Sequence, residues 1–392
     1  MTEMTGMTSS AGPIVVVGSG LGGYTLIRQL RQHDPARPVV LVTADGGEVY
    51  SKPLLSNALA KHQTPESMVQ KSAEAKAAEL DVRLINHCHV HAVDPDARCL
   101  DTSAGEIPYG DLVLATGARQ RVIVPAAADA RWIDSVNNLD DYRRWYAKLE
   151  SGVSHVLLIG AGLIGCEFAD DLMHRGLRVT LVDPADWPLA RLLPAALGRT
   201  LASALADNGA DVRTGHHVAR LARHGRGFTA TLDDGSRVHA DLVLSAAGLV
   251  PETALARSAG LVVDQGVRVD HRLRTSDPHI HAIGDCAQTP AGVQPYILPL
   301  MAQARVLAQV LAGGDARLAM KAMPVVVKTT SLPLTVCPPA AGSAGRWEID
   351  GHGRHLRAVF RGDDEAPLGF ALAGDSTAER AELGRQLPPL LA

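Results

Sequence analysis

Short apolar runs that end in small or polar residues are the dominant pattern along the chain. Two of them, at 14–17 and 156–159, lead through glycines into segments with helical spacing of apolar residues, at 24–31 and 165–175. An apolar run of four to eight residues beside turn signals is typical of a buried strand. The alternation of such runs with helices predicts parallel sheets built from βαβ units.

The same succession of elements occurs twice. Each half has a second predicted strand, at 39–43 and 179–182, and a third run that begins Asp-Leu-Val-Leu, at 111–118 and 241–248. The repeat predicts two copies of one nucleotide-binding plan. Within the second copy, before its Asp-Leu-Val-Leu run, Asp-Asp-Gly at 233–235 predicts a hairpin turn.

The last part of the chain departs from this pattern and is interpreted as a lid or docking domain. From residue 324 it predicts short strands at 325–327, 356–360 and 368–372, followed by a helix at 377–387. Earlier regions give further predicted elements, namely strands at 82–85 and 90–93 and helices at 139–149 and 300–311.

Two Gly-x-Gly-x-x-Gly motifs, at 18–23 and 160–165, stand between a predicted strand and a predicted helix. The first glycine permits a tight turn, the second lets the backbone approach a pyrophosphate, and the third lets the helix pack on the strand. The helix N-terminus adds free N–H groups and the positive end of the helix dipole. Two such motifs predict two dinucleotides bound at once, which is typical of flavoproteins that take hydride from a nicotinamide.

An acidic residue after the second strand of each unit is expected to bind a ribose. In the first unit this residue is Asp45, with Glu48 as the alternative. In the second unit it is Asp183, and because an acid repels a 2′-phosphate and no arginine follows directly, the sequence favours NADH over NADPH. A purely structural role for Asp183, as a cap at the end of the strand before Pro184, is the alternative.

Composition and charge narrow the function. The chain has 392 residues, enough for two or three domains, and a net charge of −4, which provides no basic field for nucleic acid or anionic lipid. No apolar run reaches the ~18 residues of a membrane span. Five widely spaced cysteines favour reduced thiols in a cytosol. His87, His89 and His91 alternate along one predicted strand, but no zinc-site spacing accompanies them, and no metal site is predicted.

In their order along residues 13–392, these motifs resemble those of the two-dinucleotide flavoprotein disulfide reductase superfamily. Within it the chain is most similar to the rubredoxin reductases of the alkane-oxidation type. The segments that carry this likeness are 50–56 (YSKPLLS), 160–169 (GAGLIGCEFA), 284–287 (GDCA), 299–302 (PLMA) and 324–329 (PVVVKT).

The resemblance implies an α/β fold with two Rossmann-like dinucleotide-binding domains, as in glutathione reductase, and a small α+β C-terminal domain. The predicted divisions are a disordered tail at 1–12, a discontinuous FAD-binding domain at 13–118 and 249–323, an NAD-binding domain at 119–248 and a C-terminal domain at 324–392.

The resemblance also implies roles for single residues. Lys52 and Glu167 would form an ion pair beside flavin N5 and act in catalysis, and Asp285 would bind the ribityl chain. A helix beginning near Leu300 would point its N-terminus at the flavin pyrimidine, and Lys328 would lie near the flavin. The residues expected to bind FAD are Gly18, Gly20, Gly22, Gly23, Asp45, Lys52, Thr116, Gly117, Asp285, Leu300 and Lys328. Those expected to bind NADH are Gly160, Gly162, Ile164, Gly165, Glu167, Asp183 and Gly248.

One superfamily feature is missing. Its disulfide reductases carry redox-active cysteines near the flavin, whereas the loop at 50–56 has none, and Cys166 and Cys286 are interpreted as structural. Electrons are therefore expected to pass singly from the flavin to rubredoxin, a small iron protein, in a monomeric cytoplasmic enzyme. Candidate basic residues for docking this acidic partner are Arg119, Arg121, Lys321, Lys328 and Arg346.

Two alternative functions remain open. The first is an NADH:ferredoxin reductase of an oxygenase system, which shares the first half-reaction. The second belongs to another class, a signalling flavoprotein that holds NADH in a stable complex and turns over slowly.

Overall fold

A computed structural model describes residues 12–392. The predicted disordered tail lies outside the described residues, except for residue 12. Along the first part of the chain the elements are β1 (Ile14–Val17), α1 (Leu21–His33), β2 (Val39–Val42), a 3₁₀ helix (Lys52–Asn57), α2 (Ala73–Leu80), β3 (Arg83–Ile85), β4 (Val90–Asp94), β5 (Cys99–Thr102), β6 (Gly105–Pro108), β7 (Asp111–Leu114) and β8 (Ala118–Gln120).

The middle part repeats the alternation of strands and helices. Its elements are a 3₁₀ helix (Ala130–Trp132), α3 (Leu139–Leu149), β9 (His155–Ile159), α4 (Leu163–His174), β10 (Arg178–Asp183), α5 (Ala195–Asp207), β11 (Ala210–Thr214), β12 (Val218–His224), β13 (Gly227–Leu232), β14 (Arg237–Ala240), β15 (Leu242–Ser245), β16 (Leu249–Pro251) and α6 (Ala254–Ser258).

The last part ends in an antiparallel sheet. Its elements are β17 (Val267–Arg268), β18 (Ile280–Ala282), a 3₁₀ helix (Gly284–Cys286), β19 (Ala287–Thr289), β20 (Gly292–Val293), α7 (Ile297–Leu311), β21 (Val325–Val327), β22 (Leu334–Cys337), β23 (Arg346–His352), β24 (His355–Arg361), β25 (Pro367–Ala373), a 3₁₀ helix (Gly374–Glu379) and α8 (Arg380–Gln386).

Two parallel sheets carry the duplicated plan. The first has the order β18-β7-β1-β2-β3 and the second β11-β10-β9-β15, with every pairing parallel. All four residues of β1 are buried, as are the last four of β9. Strands buried on both faces need no polar alternation, which explains the continuous apolar runs in the sequence.

The chain crosses between the two parallel sheets twice, and the two crossings lie side by side. β8, which leaves the first sheet, pairs antiparallel with β16, which returns to it. Because β18 joins the first sheet only after this return, that sheet is built from two separate stretches of the chain.

The C-terminal sheet has the order β21-β22-β25-β24-β23 and is entirely antiparallel. One face of this sheet contributes to the core of the second parallel sheet, while Phe370 and Leu372 on the other face cluster with Leu383 of α8. Val327, Leu334 and Ala371 belong to the same buried cluster as Phe168 of α4 and Leu55 of the 3₁₀ helix at 52–57. The C-terminal unit is therefore packed into the second sheet's core.

Some predicted boundaries were wrong for local reasons. The helix expected from Leu300 begins at Ile297, because a proline at its third position, Pro299, is tolerated in a first turn whose N–H groups lack helical partners. The helix expected at 377–387 is α8, which starts only at Arg380 after a 3₁₀ turn. The hairpin turn at 233–235 is confirmed between β13 and β14.

Candidate functional site

A single large cavity, about 2180 Å³ in volume, runs along the carboxyl ends of the strands of both parallel sheets. In the first sheet, neighbouring strands β1, β7 and β18 lead directly into Gly18, Thr116 and Asp285, and all three line the cavity. In open α/β sheets ligands bind at this edge.

The second sheet contributes in the same way. Strands β9, β10 and β15 lead to Gly160, Asp183 and Gly248, which also line the cavity. Residues that the sequence assigned to two nucleotides thus face one continuous space. The other predicted site residues on its wall are Gly20, Gly22, Asp45, Lys52, Gly117, Gly162, Ile164, Glu167, Leu300 and Lys328.

The glycines of the first motif have distinct geometric roles. Gly18 has φ +113°, a conformation that side chains rarely adopt. A Cβ on Gly20 would meet no atom within 4 Å, so its space opens to the cavity. A Cβ on Gly23 would overlap the carbonyl oxygen of Gly18, and Gly23 does not line the cavity. The third glycine therefore serves packing, and the second leaves room for a ligand.

The second motif reproduces this geometry. Gly160 has φ +111°, the space around a Cβ on Gly162 is open, and a Cβ on Gly165 would overlap the Gly160 carbonyl. Gly165, like Gly23, lies behind the cavity wall rather than on it. Both were predicted to bind nucleotide, and their contribution is instead to hold helix against strand.

The helices that open on the cavity have N-termini without side-chain caps. Helices α1, α4 and α7 have neither a capping side chain nor an acid in the first turn. By contrast, α2 is capped by Ser72 and α3 by Asn138, and each carries an acid in its first turn. Uncapped N–H groups and an uncompensated dipole suit an anionic ligand such as a pyrophosphate.

Asp45 follows strand β2 and lines the cavity. Its Oδ1 accepts hydrogen bonds from Thr43 Oγ1 (2.6 Å), Ser19 Oγ (3.0 Å) and the Gly47 amide (3.1 Å). All three donors bind Oδ1, and this oxygen alone fixes the orientation of the carboxylate. The alternative acid, Glu48, is instead paired with Arg143 at 3.1 Å.

Asp183 has the structural contacts that the sequence left open as an alternative. Its Oδ2 accepts from the Ala161 amide inside the glycine motif (2.7 Å), and its Oδ1 accepts from the Ala185 amide (2.8 Å). Each carboxylate oxygen has a second lone pair, so these bonds leave room for a ribose hydroxyl. Asp183 both fixes the glycine loop and lines the cavity.

Lys52 and Asp285 both line the cavity, and the charge of each affects the pKa of the other. Burial lowers the pKa of Lys52, opposed by the nearby charges of Asp285 and Asp141. Burial raises the pKa of Asp285, opposed by the charge of Lys52. Among the described residues no donor binds the Asp285 carboxylate, which suits a group awaiting ligand hydroxyls.

The predicted ion pair between Lys52 and Glu167 is not formed. Lys52 Nζ donates to Asn137 Oδ1 at 2.8 Å, while Glu167 Oε2 is bound by Lys328 Nζ, also at 2.8 Å. Glu167 also accepts from Ser56 Oγ (2.6 Å) and the Lys328 amide (3.1 Å). The buried Glu167 carboxylate thus binds three donors, from Ser56 and Lys328, that were not predicted from the sequence.

Lys328 connects three parts of the chain. Besides Glu167, its ammonium donates to Asn57 Oδ1 (3.2 Å) and to the Pro53 carbonyl, so its three N–H groups all have acceptors. Asn57 Nδ2 in turn donates to the Lys328 carbonyl (3.0 Å). Lys328 lines the cavity, but its ammonium is engaged with protein groups.

Two acids that the sequence did not single out extend this junction along α4. Buried Asp170 accepts from the amide and hydroxyl of Thr330 (2.7 and 2.8 Å) and from Ser331. Buried Asp171 accepts from the amides of Leu59 and Ala60, and burial raises its pKa to about 6. The signal was an acid triplet at i, i+3 and i+4 on a helix that is otherwise buried.

Cys166 and Cys286 do not line the cavity. Cys166 and Cys286 are buried, donate to backbone carbonyls and have pKa values raised by burial. No cysteine lies in the cavity-lining 50–56 loop. The structural interpretation of both residues agrees with these contacts.

The remaining candidates are scattered. His87, His89 and His91 are exposed and form no cluster. Among residues 12–392, the one group of His, Cys, Asp and Glu side chains close enough to share a metal ion is His216, Asp233 and Asp234. Of the basic residues proposed for docking, Lys328 is paired with Glu167 and Arg346 with Glu365. Within the described part of the chain, no helix has the length and apolarity needed to traverse a bilayer.

Two parallel sheets with matched glycine turns, opening on one cavity beside a small antiparallel unit, define the class of two-dinucleotide oxidoreductases. The chain belongs to the pyridine nucleotide-disulphide oxidoreductase family, which matches residues 12–304. Residues 317–387 match the rubredoxin binding C-terminal domain. The fold predicted from the sequence is thereby confirmed.

Known relatives refine this placement. The rubredoxin-NAD(+) reductase of Alcanivorax borkumensis is 40% identical over 97% of this chain and 99% of its own length. The nitric oxide reductase FlRd-NAD(+) reductase of Aeromonas hydrophila is 38% identical over 96% of each chain. Among solved structures, the covalent putidaredoxin reductase–putidaredoxin complex superposes with a TM-score of 0.86 at 26% identity, covering 96% of this chain and 94% of that one.

Proposed function

We propose that the protein is an FAD-dependent reductase that oxidises NADH and passes electrons singly to rubredoxin. The observation that carries the proposal is the single cavity with two uncapped, glycine-lined helix N-termini and no cysteine in its 50–56 loop. The match of residues 317–387 to a rubredoxin binding domain supports the choice of acceptor.

The overall reaction balances as one NADH giving NAD⁺, a proton and two electrons, which reduce two rubredoxin Fe(III) ions to Fe(II). Bound FAD would supply the conversion from a two-electron donor to one-electron steps. The chain's own residues would bind the cofactor at Gly18, Gly20 and Asp45, with Asp285 on its ribityl chain. The second motif, with Asp183, would hold NADH and disfavour a 2′-phosphate.

Lys52 would supply positive charge near the flavin, where negative charge develops on reduction. The N-terminus of α7, which begins at Ile297, would favour the same anion through its dipole. The exclusion of water would come from the 3₁₀ helix at 52–57, held closed by Lys328 and Glu167. The domain divisions at 13–118 with 249–323, 119–248 and 324–392 remain part of this proposal.

The test is anaerobic. The purified protein loaded with FAD is reduced with one equivalent of NADH and mixed with oxidised rubredoxin, while the loss of Fe(III) absorbance is followed. Faster transfer to rubredoxin than to a [2Fe–2S] ferredoxin is expected. The reverse order would indicate the ferredoxin alternative, and fast flavin reduction with slow transfer to both would indicate the signalling class.

A second acceptor is favoured by one specific observation, the 38% identity with the FlRd-NAD(+) reductase of nitric oxide reductase. Adding FlRd, the acceptor protein in the name of that relative, to the same experiment distinguishes FlRd from rubredoxin as the acceptor. A higher rate with FlRd than with free rubredoxin would reassign the acceptor and leave the NADH half-reaction unchanged.

A further inference from the structure

We propose that Asn137 is a positioning residue that holds the Lys52 ammonium toward the nucleotide cavity, in the place expected of Glu167. This inference rests on the proposed function and names a residue of the same site. Asn137 lies on the connection between β8 and α3, between the two glycine motifs along the chain.

The side chain of Asn137 is itself held in one orientation. Its Nδ2 donates to the Ala118 carbonyl at 2.8 Å, and its backbone amide donates to Asp141 Oδ2 at 3.0 Å. With the amide nitrogen engaged, Oδ1 is left to accept from Lys52 Nζ at 2.8 Å. Among the described residues, Asn137 is the one hydrogen-bond partner of that ammonium.

Glu167 is not available to replace Asn137. Its carboxylate accepts from Lys328 Nζ, the Lys328 amide and Ser56 Oγ, and the side chain is buried. Lys328 thus neutralises the carboxylate that would otherwise neutralise Lys52. Lys328, which follows strand β21 of the C-terminal sheet, is the ion-pair partner of Glu167.

The consequence is electrostatic. Because an amide rather than a carboxylate holds it, the Lys52 ammonium faces the cavity with its positive charge uncompensated by a bonded partner. The charge is attracted by the nearby carboxylates of Asp285 and Asp141, neither of which is bonded to it. A fixed, uncompensated positive charge at this point stabilises negative charge developing on a bound cofactor.

The experiment compares Asn137→Ala, Lys52→Met and the double variant, each loaded with FAD. Stopped-flow reduction by NADH and the midpoint potential of the bound flavin are measured. Asn137→Ala is expected to slow flavin reduction about tenfold, as a misplaced catalytic group does. In the Lys52→Met background the same change should add nothing, because the two residues act as one unit.

Asn137→Asp tests the charge. It keeps an oxygen acceptor for Lys52 and adds a compensating carboxylate, while it gives up the donor to the Ala118 carbonyl. The two-electron reduction of the flavin should then become about tenfold less favourable, a fall of about 30 mV in midpoint potential. An unchanged potential would show that charge at this position does not act on the flavin and would overturn the proposal.

Asn208→Ala is the matched control, since this asparagine is exposed, does not line the cavity and does not touch Lys52. It should leave both the rate and the potential at wild-type values. Equal slowing by Asn137→Ala in both backgrounds, or no slowing in either, would overturn the proposal. The proposed function fails separately, if wild-type protein with bound FAD is not reduced by NADH.

Discussion

At the scale of single residues, the cavity is organised by charged groups whose partners lie far away in sequence. Asp183 illustrates this, because it joins the end of β10 to the glycine motif through the Ala161 amide while still facing the cavity. A residue with both structural and binding contacts should show both effects when it is changed.

Asp183→Asn is expected to raise the KM for NADH about tenfold and to narrow the preference over NADPH, because the amide is a poorer ribose acceptor and no longer repels a 2′-phosphate. Steady-state kinetics with each nucleotide measure the change. The FAD content should stay at the wild-type level. The exposed Asp186→Asn is the control, and an unchanged KM in Asp183→Asn would remove Asp183 from the NADH site.

A second residue-scale prediction concerns acid stability. His281 is 3% exposed, and burial lowers its pKa to about 4. A histidine whose folded-state pKa lies below its usual 6.5 contributes stability above pH 6.5, and this is lost as the pH falls toward 4. At pH 5 the protein has lost about 2 kcal/mol of the free energy of unfolding that His281 contributes at neutral pH.

Urea unfolding at pH 8 and pH 5 tests this contribution. His281→Gln should lose about 2 kcal/mol less free energy of unfolding between these pH values than the wild type does. The exposed His352→Gln is the control. Parallel pH profiles for wild type and His281→Gln would show that His281 does not carry the acid sensitivity.

At the scale of elements, the glycines of each strand-to-helix turn have different structural roles. The second glycine leaves open space at the cavity, and the third permits close packing of helix on strand. The motif predicts this division of roles, and the packing around the glycines agrees with it.

The pair Gly162→Ala and Gly165→Ala tests this division. Gly162 has φ −75°, so alanine is accommodated, and its methyl group would enter the cavity and weaken NADH binding with little loss of stability. Gly165→Ala should lower the free energy of unfolding by about 2 kcal/mol or more through overpacking. Isothermal titration with NADH and urea unfolding separate the two, and equal effects on both readouts would contradict the assignment.

At the scale of the whole molecule, helix α4 joins the parts of the chain. Its acids Glu167, Asp170 and Asp171 bind the C-terminal segment at 328–331 and the segment at 56–60. The C-terminal unit also shares a buried cluster with the second sheet. We therefore expect it to unfold with that sheet rather than independently.

Asp170→Ala should lower the free energy of unfolding by about 3 kcal/mol, because it leaves the donors of buried Ser331 and of neighbouring Thr330 without their charged acceptor. Hydrogen exchange should become faster in β22 as well as in α4. Asp186→Ala, on the surface, is the control. Faster exchange limited to α4 would show that the C-terminal unit is held by other contacts.

The amino-acid sequence determined the elements and the nucleotide turns, since apolar runs, glycine spacing and strand-end acids act over short stretches of chain. It thus placed Asp45, Asp183 and Asp285 at one sheet edge or the other. It could not determine the partner of Lys52 or of Glu167, because the competing groups, Asn137 and Lys328, arrive from distant segments. Only the tertiary structure decides which lysine reaches the buried carboxylate, since that depends on how the C-terminal sheet packs against α4.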